Sequence, residues 1–160
     1  VDMALIDAVV TSDLFVGARA LWKPEIIKEL VVTEASIGSL GMSAIAGSFT
    51  SVLREAEEGI YLTLHDNPQV TAWVPIMPGI ITPVEISSYH KIYPGERIRI
   101  NTQCGMIALD GEREVAFNEG DKIEIVLSLQ GPNVIKISET LEAAVKGSFF
   151  TTNGGGYQIK

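Results

Sequence analysis

From Tyr89 onward turn formers recur at short intervals, and this punctuation limits the fold more than any other feature of the chain. Pro94-Gly95 breaks the chain before one segment and Asp110-Gly111 is the strongest hairpin signal. Glu119-Gly120-Asp121 opens the next segment, and Gly131-Pro132-Asn133 turns the last pair. The stretches between them predict strands at Arg97–Asn101, Gly105–Leu109, Glu112–Phe117, Lys122–Leu129 and Val134–Ile137. Many short strands at regular spacing indicate a mainly β domain of two-sheet, sandwich-like build with two or three short helices. Ser138 is placed to cap a terminal helix over Glu139–Lys146, with Gly147 past its end. The domain is expected to span 1–147, with 148–160 a tail that is either a flexible end or an added strand.

The first half is less regular. Met3–Thr11 and Leu14–Trp22 read as strands of a sheet covered on both faces, because both are apolar over most of their length. Asp7 interrupts the first of them. A buried acid needs a partner or a ligand, so Asp7 is either hydrogen-bonded structurally or lines a site. Arg19 poses the same question. Lys23–Leu30 carries Pro24 at a first helical position and Ile26, Ile27 and Leu30 at helical spacing, which predicts a two-turn packing helix. Ile60–Leu64 and Val70–Ile76 alternate like hairpin strands around the turn His65-Asp66-Asn67-Pro68. Trp73–Ile86 holds three prolines among β-formers, which predicts a broken strand or an edge crossover, since proline lacks a ladder donor. Such a segment suits a pocket wall, an inter-subunit contact or plain core.

Val31–Val52 changes character most sharply. Its β-branched start favours a strand, Gly38 and Gly41 permit a tight loop, and Ser43-Ala44-Ile45-Ala46 suits a short helix ended by Gly47. A loop of this kind either offers backbone N–H groups to a polar ligand or merely lets a helix pack on a sheet. No Lys follows the glycines, which excludes a P-loop.

Twelve basic against twenty acidic residues give a net charge of −8, unfavourable to nucleic acid and to anionic membranes. There is no apolar run long enough to span a membrane and no signal-peptide pattern. Cys104 is the single cysteine, which excludes an intrachain disulfide and fits a cytoplasmic location; a buried packing role is expected for it. His65 and His90 stand far apart with no cysteine at metal spacing, so no zinc site is expected. Ser39 and Ser43 do not form a Gly-x-Ser-x-Gly elbow, and Glu112, Arg113 and Glu114 read as a solvated hairpin end. The chain begins at Val1, already in an apparent strand, and is expected to be the C-terminal piece of something longer.

The order ALIDAVV, VVTEASIGSLGMSAIAG, VPIMPGIITPVEI, ALDGEREV and EGDKIEIVLS, spanning residues 3 to about 137, resembles the C-terminal domain of the ATP-NAD kinase superfamily. It is most similar to the acetoin-catabolism protein X type, whose Ile-Gly-x-Ser-Ala-Ile-x-Gly loop resembles Leu40–Gly47. The resemblance implies one half of a two-domain kinase that phosphorylates the 2′-hydroxyl of NAD. ATP and Mg²⁺ are engaged only in the full-length enzyme, where an N-terminal α/β domain supplies a Gly-Gly-Asp-Gly-Thr motif that this chain lacks. The family's dinucleotide-holding Asn-Glu pair falls on Ile6 and Asp7, keeping only an acid. Its Thr-Gly-Ser-Thr-Ala-Tyr loop falls on Ile37, Gly38, Ser39, Leu40, Gly41 and Met42, keeping the glycine and the serine. Pro75 and Pro78 match a proline wall, and Asp110-Gly111 matches a turn read as structural. The resemblance therefore implies Asp7, Gly38, Ser39, Gly41, Met42 and Ser43 as nucleotide contacts, and a homo-oligomer formed through sheet edges and the proline-rich segment.

Overall fold

A computed structural model describes residues 1–13, 24–53, 55–133 and 135–151. The chain divides into two compact units, Val1–Leu129 and Gln130–Lys160. The first is mainly β. Its large sheet is antiparallel throughout and seven-stranded, in the order β4-β5-β3-β2-β1-β7-β8. The strands are β1 (Asp7–Thr11), β2 (Ile27–Val32), β3 (Gly59–Leu64), β4 (Val70–Met77), β5 (Ile80–Ile92), β7 (Gly105–Leu109) and β8 (Arg113–Phe117). A second sheet pairs β6 (Arg97–Arg99) with β9 (Glu124–Val126). Helix α1 (Met42–Gly47) belongs to this unit; α2 (Ile137–Lys146) belongs to the second, where every side chain on it except Ala144 is exposed.

Alternation along the central strands explains why one sheet carries two cores. Val9, Leu30, Val32, Ile60 and Leu62 pack with Ile45 and Ala46 of α1, while Ala8, Val10, Val31 and Tyr61 pack with Ile98, Ile100 and Phe117. The helix thus covers one face and the β6–β9 ribbon the other, so the central strands are apolar on both sides, as expected for a doubly covered sheet.

Glu29 breaks that apolar pattern in β2. Only 3% exposed, it points toward the ribbon and is fully engaged. The backbone N–H groups of Asn101 and Thr102 donate to Oε1 at 2.9 and 2.7 Å, the Thr102 hydroxyl donates to Oε1 at 2.7 Å, and the Tyr61 hydroxyl donates to Oε2. Burial, then the Glu29 carboxylate, pushes the Tyr61 phenol well above its ordinary range, so it remains a donor at any ordinary pH. These bonds join the main sheet to the segment that follows β6.

The predicted helix over Lys23–Leu30 is corrected. A single 3-10 turn, Pro24–Ile26, leads straight into β2, and Ile27 and Leu30 are buried as strand residues. Pairing on both sides, with β1 and with β3, overrides the helical spacing. A second correction concerns the hairpin. β3 and β4 do not pair; β5 lies between them, and the proline-rich segment is itself the β4–β5 hairpin, turning at Pro78-Gly79. Pro75 lies on the edge strand, and Pro83 lies where β5 extends beyond β3, which covers only Ile86–Ile92. Both prolines occupy places where no ladder donor is required.

The Asp110-Gly111 hairpin is observed: both residues have positive φ, 52° and 65°, and the Glu112 N–H donates to the Leu109 carbonyl at 3.0 Å. Val134–Ile137 is not a strand over its described residues, because Ile137 already opens α2, and Gly131-Pro132-Asn133 turns no strand pair. Ser138 lies inside α2 rather than at its cap, which is Lys136. Cys104 is exposed, not buried. The expected strand Leu14–Trp22, Arg19 and the tail beyond Thr151 lie outside the described residues.

Glu29→Ala would orphan two backbone donors and a phenol and is expected to cost about 3 kcal/mol, against about 1 kcal/mol for Tyr61→Phe. Urea unfolding of both variants checks this order.

Candidate functional site

The loop between β2 and α1 is built by its own small residues. Ser36 organises the first half: its Oγ accepts the Gly38 N–H at 3.3 Å and its carbonyl accepts the Ser39 N–H at 3.0 Å. Gly41 then turns with φ 76°, and its N–H donates to the Pro75 carbonyl of β4 at 3.1 Å. This bond anchors the start of α1 to the edge of the sheet. At the other end of the helix, a Cβ on Gly47 would stand 2.2 Å from the Ser36 carbonyl carbon. Two stretches of backbone touch there, and only glycine permits it.

The six residues expected at a site are therefore not all equivalent. Gly38, Ser39 and Gly41 have their backbone N–H groups engaged within the protein, and Ser43 is buried on α1, leaving Met42 half-buried at the first helical position. Asp7 stands apart. It sits on β1, whereas the loop is tied to β4 on the far side of β2, β3 and β5.

Asp7 lies beside a different acid. One oxygen of Asp110 accepts the backbone N–H groups of Ile6 and Asp7 at 2.7 and 3.1 Å, the other accepts that of Leu5 at 2.8 Å, and the Asp110 N–H donates back to the Asp7 carbonyl at 3.0 Å. The turn thus grips the entry to β1, a role visible in the sequence only as an Asp-Gly signal. Burial, then the neighbouring Asp110 charge, pushes the Asp7 carboxyl up from 3.8 to about 6. Among the described residues no hydrogen bond to the Asp7 carboxylate offsets this, so Asp7 is a strained acid of the kind found where a ligand or proton is handled.

An open cavity of about 430 Å³ lies along the edge strand, lined by Ile37, Gly47, Ser48, Phe49 and Val70–Trp73. Phe49 also stacks on Tyr89, with ring centroids 4.8 Å apart. None of the six expected residues lines it; Ile37, beside Gly38, is the nearest in sequence.

A family model, that of the acetoin catabolism protein X C-terminal domain, matches residues 1–130. The chain belongs to this family. Acetoin catabolism protein X of Cupriavidus necator is 35% identical over 128 residues, 79% of this chain. The match covers 36% of that relative, so the chain spans about a third of its length. No solved structure matches. In this acetoin catabolism protein X C-terminal domain, no described helix is long and apolar enough to cross a membrane.

Two variants test the geometry. Gly47→Ala forces Ser36 and α1 apart and is expected to lower stability by about 2–4 kcal/mol, seen as a lower melting temperature. For Asp7, whose folded pKa is raised, stability is greatest below about 3.8 and declines as pH rises through about 6. Asp7→Asn should therefore stabilise the domain at pH 8 by on the order of 2–3 kcal/mol and have little effect near pH 4, read from thermal melts at both pH values.

Proposed function

We propose that this domain is the nucleotide-binding part of a cytoplasmic, NAD-kinase-like phosphotransferase, and that the full-length protein phosphorylates the 2′-hydroxyl of NAD. The observation that carries the reading is Asp7: a half-buried carboxyl raised to about 6, with no described side-chain partner, at the position where the resemblance places an acid that holds the dinucleotide. A ribose hydroxyl donating to this carboxylate would supply the hydrogen bond it lacks. The loop Gly38–Ser43 would contribute the Ser39 hydroxyl and polar backbone, with Ser43 and Met42 behind it, once ligand binding reorders the loop.

ATP, Mg²⁺ and the phosphoryl transfer belong to an N-terminal α/β kinase domain in this reading. Among the described residues no three His, Cys, Asp or Glu side chains gather to hold a metal. The part of this domain is to bind and orient the acceptor.

A second reading, a non-catalytic ligand-binding or oligomerisation module, is favoured by one observation. The N–H groups of Gly38, Ser39 and Gly41 are already spent on Ser36 and Pro75, as in a loop built for packing.

Calorimetric titration separates the two. Saturable NAD binding, lost in Asp7→Ala and tighter than binding of ATP with Mg²⁺, supports the first reading; absence of heat with every nucleotide, in this chain and in the full-length protein, supports the second. The isolated chain is expected to form no NADP from NAD and ATP, and detectable NADP would refute the division of labour proposed here.

A further inference from the structure

The side chains of β4 and β5 divide between two faces. Ala72, Val74, Val84 and Ile86 are buried in the core that holds Ile45 and Ala46 of α1. Alternation therefore sends Thr71, Trp73 and Pro75 of β4, and Ile81, Pro83 and Glu85 of β5, to the opposite face. Register sets them in three rows: Thr71 opposite Glu85, Trp73 opposite Pro83, and Pro75 opposite Ile81. Two of the rows are wholly apolar. Trp73 is 67% exposed and Ile81 65% exposed, so the block meets water.

Glu85 stands diagonal to Trp73 on this face, a separation of about 7–8 Å that long side chains bridge. Its side chain is 53% exposed, and among the described residues its carboxylate meets only the His65 ring, with Nδ1 3.7 Å away. That contact is an ion pair only when the ring is charged. His65 Nε2 lies 2.8 Å from the Pro24 carbonyl, a group that can only accept, so Nε2 carries a proton. A neutral ring then turns the lone pair of Nδ1 toward Glu85 and offers it no charge. Lys28 pairs with Asp66 instead, at 3.8 Å. With His65 neutral, a carboxylate without a cation thus stands beside an exposed indole.

We propose that this face docks an arginine-bearing apolar segment of a partner protein. The guanidinium stacks on Trp73 and pairs with Glu85, while apolar side chains of the same segment cover Pro75, Ile81 and Pro83. Guanidinium suits the two groups together, because it is planar for stacking, cationic for the ring and forked for the carboxylate. A small free cation would satisfy Glu85 and leave the row of Pro75 and Ile81 facing water. The occupant therefore carries apolar groups as well as charge. The net charge of −8 favours a cationic partner, and it disfavours an anion or a second copy, which would bring another Glu85 to the same face. Tryptophan and arginine are also the side chains on which small interfaces most often depend.

The probe is acetyl-Leu-Arg-Leu-amide, compared with its citrulline counterpart, in which a neutral urea replaces the guanidinium. The readout is the indole N–H resonance of Trp73, identified as the signal missing from Trp73→Phe. A saturable shift with a Kd of about 1 mM or below is expected for a single anchor. Binding should weaken at least fivefold with citrulline, in Glu85→Gln, and in about 0.5 M salt, while Glu112→Gln at the far hairpin leaves it unchanged. Both residues are exposed, so an unchanged far-UV spectrum is expected of each variant. Equal binding of the citrulline peptide, undiminished binding in Glu85→Gln, or an indole signal unmoved at about 10 mM peptide would overturn the proposal. An indole signal that moves with the concentration of the chain alone would give the face to a second copy and overturn it as well.

Discussion

The buried carboxylate of Glu29 is the bond on which the two-sheet arrangement depends. A sheet covered on both faces needs something to fix the register of its covers, and apolar contact alone is non-directional. Glu29 supplies direction. It reaches from β2 to the N–H groups of Asn101 and Thr102, just after β6, while Tyr61 on β3 completes the set from the neighbouring strand. Removing the Glu29 carboxylate takes the shared acceptor from every donor at once, which is why such networks specify one arrangement rather than merely adding stability.

On the opposite face the cover is held by backbone. Gly41 donates to Pro75, the Ser36 N–H donates to the Ser43 carbonyl at 3.2 Å, and Gly47 lets Ser36 come close. Small side chains buried at Ala44 and Ala46 let α1 sit low on the sheet. The two faces thus use different chemistry for the same task. The ribbon is keyed by a charged side chain, and the helix by the close approach of main chains.

The strands that are bounded by turn residues were legible in the sequence, because Asp110-Gly111 and Pro94-Gly95 impose their conformations locally. The loop and helix of residues 36–47 were legible for the same reason. Two features were not. β2 and the turn before it carry helical spacing at Ile26, Ile27 and Leu30, and only the neighbours on both sides make β2 a strand. The β4–β5 pairing depends on a long-range choice of partner: local alternation marks β3 and β4 as strands, but nothing in the turn after Leu64 reveals that β5 will come between them. Of the site, the sequence marked Asp7 and the glycine loop; that they lie on opposite sides of three strands is a property of topology, not of spacing. Glu29 escaped notice because an acid within a presumed amphipathic helix reads as a surface residue.

The grip of Asp110 on Leu5–Asp7 carries a consequence for how the chain acquires its structure. β1 is made well before β7, one of its two neighbours, and the carboxylate that holds its start lies 103 residues beyond Asp7. Closing so large a loop is entropically slow and precedes any reward from the contacts it brings together. During synthesis, β1 and β2 must therefore wait as an incomplete sheet, one apolar edge open, until the hairpin of β7 and β8 leaves the ribosome. The domain's most vulnerable moment comes before its last third exists, and chaperone demand in the cell should track that interval rather than the stability of the finished fold.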